Sequence, residues 1–360
     1  MIPQSPDKNM APEEEKINFN LLAMKCGGNY AALKKYAEKH KKNWLSAWKS
    51  AAGEFLEKPD GEKEWSKLKE KNIEIVLEKD SNYPNLLKEI PYPPLALYYK
   101  GAPLQKSEKC IAIIGTRKAT EVGKRLAEKF SEKLAKAGIT IVSGLALGID
   151  ANAHKGALKA NGKTIAVLGN GLGTIYPKEN ERLAKEILSK NGTLVSEYPK
   201  DLEPRPHRFL ERNRIVSGLS DGILVIEAPQ KSGSLSTARY AIEQNRSVWV
   251  IPGNIEHRNY HGSHELIKEG ASLVTDPSDI LKDLGLENSE LFEKNEEILK
   301  NEKFDKESKD VILFLKATGE SMEIDEIAKK LNMPINVASK TITILLLEDY
   351  IKEDQGKYFL

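Results

Sequence analysis

The sequence predicts an α/β chain built on a parallel sheet, and three observations carry that prediction. First, short apolar runs without alternation recur along its middle: Ile111 to Ile114, Ile141 to Ser143, Thr164 to Gly169, Thr193 to Ser196, Gly222 to Glu227, Ser247 to Ile251 and Ala271 to Val274. Runs of this kind suit strands buried on both faces. Second, segments with helical spacing separate them, over 120–138, 178–190, 209–219, 235–245, 262–269 and 277–284. Regular β-α alternation implies a parallel sheet with helices on both faces. Third, the runs ending in Ile114-Gly-Thr-Arg117 and Val142-Ser-Gly144 stop at glycine and open into polar residues. Such loops fall at the carboxyl edge of the sheet, where open α/β sheets bind ligands.

The remaining segments follow in order. Residues 1–16 hold Pro3, Pro6 and Pro12 and three consecutive glutamates, the composition of a disordered tail. Residues 17–72 place apolar side chains at three-to-four spacing, as in Ala31 to Ala37 and Trp44 to Trp48, and read as a small helical domain. Residues 73–100 give a short strand, a loop with prolines at 84, 91, 93 and 94, and a second strand. They lead into the α/β core, so that 73–285 forms one domain. Residues 286–305, rich in charged and amide side chains, read as a linker. Residues 306–360 have helix character over 308–316, 323–331 and 335–348, then a hairpin from Tyr350 to Phe359. That is the order of a winged-helix-like domain.

Composition narrows the function classes. The chain has 360 residues, 40 % hydrophobic and 30 % charged, with a formal net charge of +2. No global basic field announces nucleic acid, so any such site is local. The two cysteines, Cys26 and Cys110, give no disulfide framework and fit a reducing compartment. No apolar run is long enough to span a membrane, and the first residues lack a basic-then-apolar signal pattern. The reading is a cytoplasmic protein without a membrane partner.

The candidate site gathers at the loops. Arg117, where the first core strand ends, is placed to donate bidentately to phosphate rather than to be a plain surface arginine. Ser143 and Gly144 expose backbone at the second loop. Ser232-Gly233-Ser234 opens a helix, as an anion cradle and as a cap, with Ser234 expected as the capping residue. Pro204 to Arg214 is the most basic stretch of the core: Arg205, Arg208, Arg212 and Arg214 surround His207 and Phe209, with Asn213 between two arginines and Glu211 opposing them. Charge for a backbone and a ring for a base is the combination single-stranded nucleic acid needs. A solvated helix face is the alternative.

Several motifs are weighed and set aside. No G-x-G-x-x-G follows the first core strand. Gly162-Lys163-Thr164 resembles a Walker A end, but Gly156 is one residue too far and the element precedes a strand. His257, His261 and His264 match no zinc spacing and have no thiolate nearby. His154 reads as a packing or capping residue as readily as a base. No G-x-S-x-G elbow is present. No metal and no cofactor are expected.

Taken together, DSNYPNLLKEI, IAIIGTR, IVSGLALGIDANAHKGAL, TIAVLGNGL, LVSEYP, FLERNRIVSGLSDGILVIEA, SGSLSTARYA, IPG and GSHELIKEGA resemble the DNA-processing protein A (DprA/Smf) family over about residues 73–285. The resemblance implies an extended Rossmann-like core and binding of single-stranded DNA, commonly as a homodimer. It also implies protection of incoming DNA and loading of a RecA-type recombinase in natural transformation. Site residues under this reading are Arg117, Ser143, Gly144, Phe209, Arg212, Asn213, Arg214 and Ser232 to Ser234, lining one pocket. Two positions depart from the family pattern: Leu147 stands where arginine is frequent, and His264 where asparagine is usual.

Two other readings compete. A Rossmann-type nucleotide phosphoribohydrolase shares such a core, but the loop Lys231 to Thr237 lacks the glutamate that chemistry needs. A transcriptional regulator acting through the last domain is the third. Residues 305–360 carry eight lysines and no arginine against eleven acids, and the expected recognition helix 335–348 offers only Lys340. A major-groove reader brings more basic and amide side chains than that. The chain is therefore expected not to be an enzyme, and the last domain not to be its main DNA-binding element.

Overall fold

The computed structural model describes residues 11–53, 59–105, 109–286, 305–318, 321–348, 350–354 and 356–359. The chain divides into two compact units, Met1–Ile280 and Leu281–Leu360.

The first unit opens with four helices, α1 (Glu13–Lys25), α2 (Tyr30–Lys39), α3 (Trp44–Ala52) and α4 (Gly61–Glu70). Asn29, Asn43 and Asp60 cap the last three by accepting from backbone N–H groups of their first turns. The expected tail ends sooner than residue 16. Glu13, Glu14 and Glu15 occupy the first turn of α1, where the helix dipole favours acids. Glu15 also accepts from the Trp44 N–H (2.9 Å), tying α1 to the start of α3. Residues 1–10 and most of the expected linker lie outside the described residues.

The sheet has nine strands: β1 (Glu74–Leu77), β2 (Ala96–Gly101), β3 (Cys110–Ile114), β4 (Thr140–Ser143), β5 (Thr164–Leu168), β6 (Thr193–Ser196), β7 (Gly222–Val225), β8 (Ser247–Val250) and β9 (Ser272–Leu273). Their order is β1-β2-β6-β5-β4-β3-β7-β8-β9. The seven strands from β6 to β9 in that order run parallel. The proline-rich segment is more than a lead-in. Its two strands pair with each other, and β2 pairs antiparallel with β6, adding an antiparallel edge. Between strands lie α5 (Asn85–Lys88), α6 (Glu121–Lys136), α7 (Ile149–Lys159), α8 (Glu181–Ser189), α9 (Pro206–Gly218), α10 (Gly233–Glu243) and α11 (His261–Lys268).

Ile111, Ile113, Val142, Val167, Ile223 and Trp249 are fully or almost fully buried, as strands covered on both faces require. The four N-terminal helices share their core with one side of this sheet. Phe19, Leu22, Trp44 and Trp65 belong to the same apolar cluster as Ile75, Tyr98 and Leu194. Phe19 meets Trp44 edge-on at 4.9 Å, and the Tyr98 hydroxyl donates to Asn20 Oδ1 (2.9 Å).

In the second unit, helices Lys306–Thr318, Ile324–Lys330 and Ile335–Leu347 precede an antiparallel hairpin of Lys352–Asp354 with Lys357–Phe359. Ile342 and Leu345 of the third helix are buried with Val311, Ile312 and Ile327, whereas Leu347 is 82 % exposed.

A candidate nucleic-acid interface at the carboxyl edge

Strand order sets the site. Successive strands β4, β5 and β6 are laid down on one side of β3, and β7, β8 and β9 on the other. The loops after β3 and β7 therefore diverge, and a crevice opens between them at the switch point. A cavity of about 400 Å³ occupies that crevice. Gly115, Thr116 and Arg117 line it from the β3 loop, Gly144 and Ala146 from the β4 loop, Asp150 from the first turn of α7, and Lys231 to Ser234 from the end of the β7 loop and the start of α10. Helix α9 closes the side with Phe209, Arg212, Asn213 and Val216. Those four lie at i, i+3, i+4 and i+7, one face of a helix.

Each wall has a local cause. Pro206 begins α9, where its fixed φ and missing N–H cost nothing. At α10, Ser232 is the capping residue, in place of the expected Ser234: its Oγ accepts from the Ser234 N–H (3.3 Å) and lies 2.6 Å from the Ser234 hydroxyl. The positive end of α10 thus faces the cavity. Between β4 and α7 the backbone turns sharply. Gly148 has φ +81°, and a Cβ there would stand 2.7 Å from the Arg117 carbonyl oxygen. Leu145, fully buried, has φ +57°, a left-handed conformation that costs a non-glycine residue strain. Asn180 Nδ2 holds it by donating to the Leu145 carbonyl (2.8 Å).

The two arginines of the cavity differ in kind. Arg117 is exposed, and its guanidinium lies over the Phe209 ring, 5.5 Å from the centroid. Arg212 is 5 % exposed. Its Nη1 donates to the carbonyls of Gly144 (2.8 Å) and Val167. Gly144 must be glycine for this seat, because a Cβ would fall 2.5 Å from Nη2. Burial draws the Arg212 guanidinium down to about 10, against the pull of Asp150, so it stays charged at neutral pH. Its buried Nε has no hydrogen-bond partner. Asp150, whose Oδ2 accepts from the Gly144 N–H (3.1 Å), is pushed above the usual carboxylate range by burial, with Arg212 opposing.

Of the sequence-predicted residues, Arg117, Gly144, Phe209, Arg212, Asn213, Ser232, Gly233 and Ser234 meet at this cavity. Ser143 and Arg214 do not line it. The Ser143 hydroxyl is fully buried and donates to the Ile113 carbonyl (2.7 Å), fastening β4 to β3. Arg214 points away from the cavity side. Its Nη2 donates to Glu197 Oε1 (2.6 Å), both side chains are 8 % exposed, and the guanidinium lies over the Tyr30 ring at 5.3 Å. Arg208 is also engaged elsewhere, over Tyr198 at 5.6 Å. Phe209 is half-buried, with Tyr176 5.4 Å away.

Sequence reasoning missed Asp150, Thr116 and Lys231 as lining residues. Asp150 sits in the first turn of α7, where an acid reads as an ordinary dipole partner. The usable signal is its place just beyond a strand-exit glycine pair, Gly144 and Gly148. His154 is a packing residue. It is fully buried, and burial lowers its pKa to about 3, so it is neutral. The Thr164 hydroxyl donates its one proton to the Ile141 carbonyl (2.7 Å), so it accepts from His154 Nδ1 (2.7 Å). Lys163 and Thr164 stand at the start of β5, the end of the strand opposite the cavity. Leu147, which departs from the family pattern, is 39 % exposed outside the lining, and His264, which also departs, stacks near Tyr260 at 6.2 Å. His257 Nδ1 accepts from the Asn259 N–H (3.3 Å).

A family model described as DNA recombination-mediator protein A matches residues 74–285. Protein Smf of Escherichia coli (strain K12) is 50 % identical over 201 residues, which cover 56 % of this chain and 54 % of that protein. The chain thus spans about half the length of that relative. The X-ray structure of DNA processing protein A from Streptococcus pneumoniae superposes with a TM-score of 0.62 at 32 % identity, over 76 % of this chain and 98 % of that one. A structure of DNA processing protein A from Helicobacter pylori, described for its single-stranded DNA binding mode, superposes with a TM-score of 0.53 at 34 % identity, over 59 % and 95 % of the two chains. Among the described residues, no helix is long and apolar enough to cross a membrane.

Proposed function

Because the chain belongs to the DNA recombination-mediator protein A family, we propose that it binds single-stranded DNA in the crevice between β3 and β7. In this reading it protects incoming strands in the cytoplasm and hands them to a RecA-type recombinase during natural transformation, as a homodimer. No turnover of nucleotides accompanies binding.

One observation carries the proposal. An exposed arginine, a buried and charged arginine, a helix N-terminus and a half-buried phenylalanine converge on one cavity at the switch point. Arg117 supplies a bidentate donor for a phosphate. The start of α10 and Arg212 supply positive potential beneath it. Phe209, with Tyr176 beside it, offers a base the ring face on which the Arg117 guanidinium lies, once that guanidinium turns to the phosphate. A duplex keeps its bases paired and cannot place one there. The Helicobacter pylori structure, a protein described as binding single strands, supports the reading through its shared fold. A gel-shift series with single-stranded, double-stranded and mononucleotide competitors tests it. Single strands should compete best, and equal competition by duplex would contradict it.

Nucleotide phosphoribohydrolase chemistry is the second reading, and Asp150 is the observation in its favour: a carboxylate does line the cavity. That carboxylate is held by the Gly144 N–H and faces Arg212, the stretch Lys231 to Thr237 brings no glutamate, and Glu227, at the exit of β7, does not line the cavity. Steady release of free base from a nucleotide, abolished by Asp150→Asn, would establish this reading over the first.

A further inference from the structure

We propose that Glu227 is a positioning residue which, acting through Asn259, fixes the loop that presents Arg117 to single-stranded DNA. The inference rests on the single-strand reading above. Glu227 follows β7 and is fully buried. Among the described residues its carboxylate meets donors from two loops and no cation. Oε2 accepts from the Thr120 N–H (3.0 Å) and from Asn259 Nδ2 (2.9 Å). Oε1 accepts from the Tyr260 hydroxyl (3.2 Å) and the Thr120 hydroxyl. Thr120 caps α6, and a Cβ on Gly123 of that first turn would fall 2.5 Å from the Glu227 carboxyl carbon. The carboxylate therefore lies against the positive end of α6, which offsets part of the cost of burying it.

The geometry then reaches Arg117. Asn259 Nδ2 has two hydrogens. One goes to Glu227, and the other goes to the carbonyl oxygen of Lys118 (3.0 Å), the residue after Arg117. On the other side, the Thr116 N–H donates to the Glu227 main-chain carbonyl (2.8 Å). The residues flanking Arg117 are thus held on both sides by Glu227, at the Thr116 N–H by its main-chain carbonyl and at the Lys118 carbonyl through Asn259. An ionised carboxylate only accepts, so all four donors can point at it. An amide in its place keeps all four contacts only if the Tyr260 and Thr120 hydroxyls both turn to accept from it; with the other orientation its N–H meets the Thr120 N–H and Asn259, and the bridge to Lys118 loosens.

The test uses the full chain, a fluorescent oligo-dT strand and anisotropy titrations across salt, with circular dichroism and melting as folding checks. Glu227→Gln and Asn259→Ala are each expected to weaken binding by about tenfold, ~1.4 kcal/mol. Both should lower the salt slope as Arg117→Ala does, and neither should add to Arg117→Ala in the double variant. Should Glu227→Gln fail to fold, Asn259→Ala decides. Parent affinity and slope in folded Asn259→Ala, with Arg117→Ala weakened, would overturn the positioning role and leave the single-strand reading standing. Additive losses in the double variants would also overturn it, because the residue would then act elsewhere. If the parent itself does not bind the strand, or Arg117→Ala binds as the parent does, the single-strand reading fails first and this role with it.

Discussion

Helix α9 carries two arginines two residues apart, and they do opposite jobs. On the face with Phe209, Arg212 and Asn213, side chains line the crevice. On the other side, Arg214 closes a buried ion pair with Glu197 beneath Tyr30, while Glu211 accepts from the Tyr198 hydroxyl (2.9 Å). Burial works against the Arg214 charge, but Glu197, by charge and hydrogen bond, outweighs it and holds the guanidinium above its ordinary value. Arg212 has no such bonded carboxylate; backbone carbonyls hold it. A basic run on a helix is therefore two populations. One half anchors the helix to the sheet and the N-terminal helices, and the other half faces the crevice.

The largest effect should come from the anchoring face. Arg214→Ala leaves Glu197 buried without its partner, and removing one side of such a pair costs roughly 3–5 kcal/mol. Chemical denaturation should show that loss, while the protein that remains folded binds single strands within a few fold of the parent. A strong loss of affinity in folded Arg214→Ala would break the division between faces. Arg212→Ala comes next and should mix the two behaviours. The Gly144 and Val167 carbonyls lose a buried donor, at ~1–3 kcal/mol of stability, and single-strand affinity falls as well. Phe209→Ala should leave stability nearly intact and weaken binding by ~1–3 kcal/mol with an unchanged salt slope, because stacking neutralises no phosphate. Smallest of all is removal of residues 305–360, whose net charge is −3. Single-strand affinity should stay within a few fold, and a loss of about a hundredfold, ~2.7 kcal/mol, would move the binding site to that unit.

The same helix shows what a sequence reveals and what it hides. The core strands were legible because each is an unbroken apolar run, and the loops after β3 and β4 because each begins with glycine. The phase of Phe209, Arg212, Asn213 and Val216 was also in the sequence. At 3.6 residues per turn Arg214 sits roughly 200° from Arg212, so both cannot face one cavity. What the sequence could not supply was Glu197, 17 residues away on the exit of another strand. A charge run names no partners. Ser143 was hidden for a similar reason: a serine at a strand end looks exposed until the neighbouring strand's carbonyl is placed beside it. The pairing of β1 and β2 as an antiparallel edge was obscured by the prolines between them, which exclude a helix and leave the destination open.

The most direct measurement is the salt dependence of single-strand affinity for the parent and for Arg117→Ala. Arg117 is exposed at the mouth of the crevice, so its loss should not disturb the fold. Affinity of the parent should fall with salt, and the log–log slope of the variant should be shallower by roughly 0.7, the value for one phosphate no longer neutralised. Equal affinity and equal slope in a variant with an unchanged circular dichroism spectrum would contradict the placement of single-stranded DNA in this crevice.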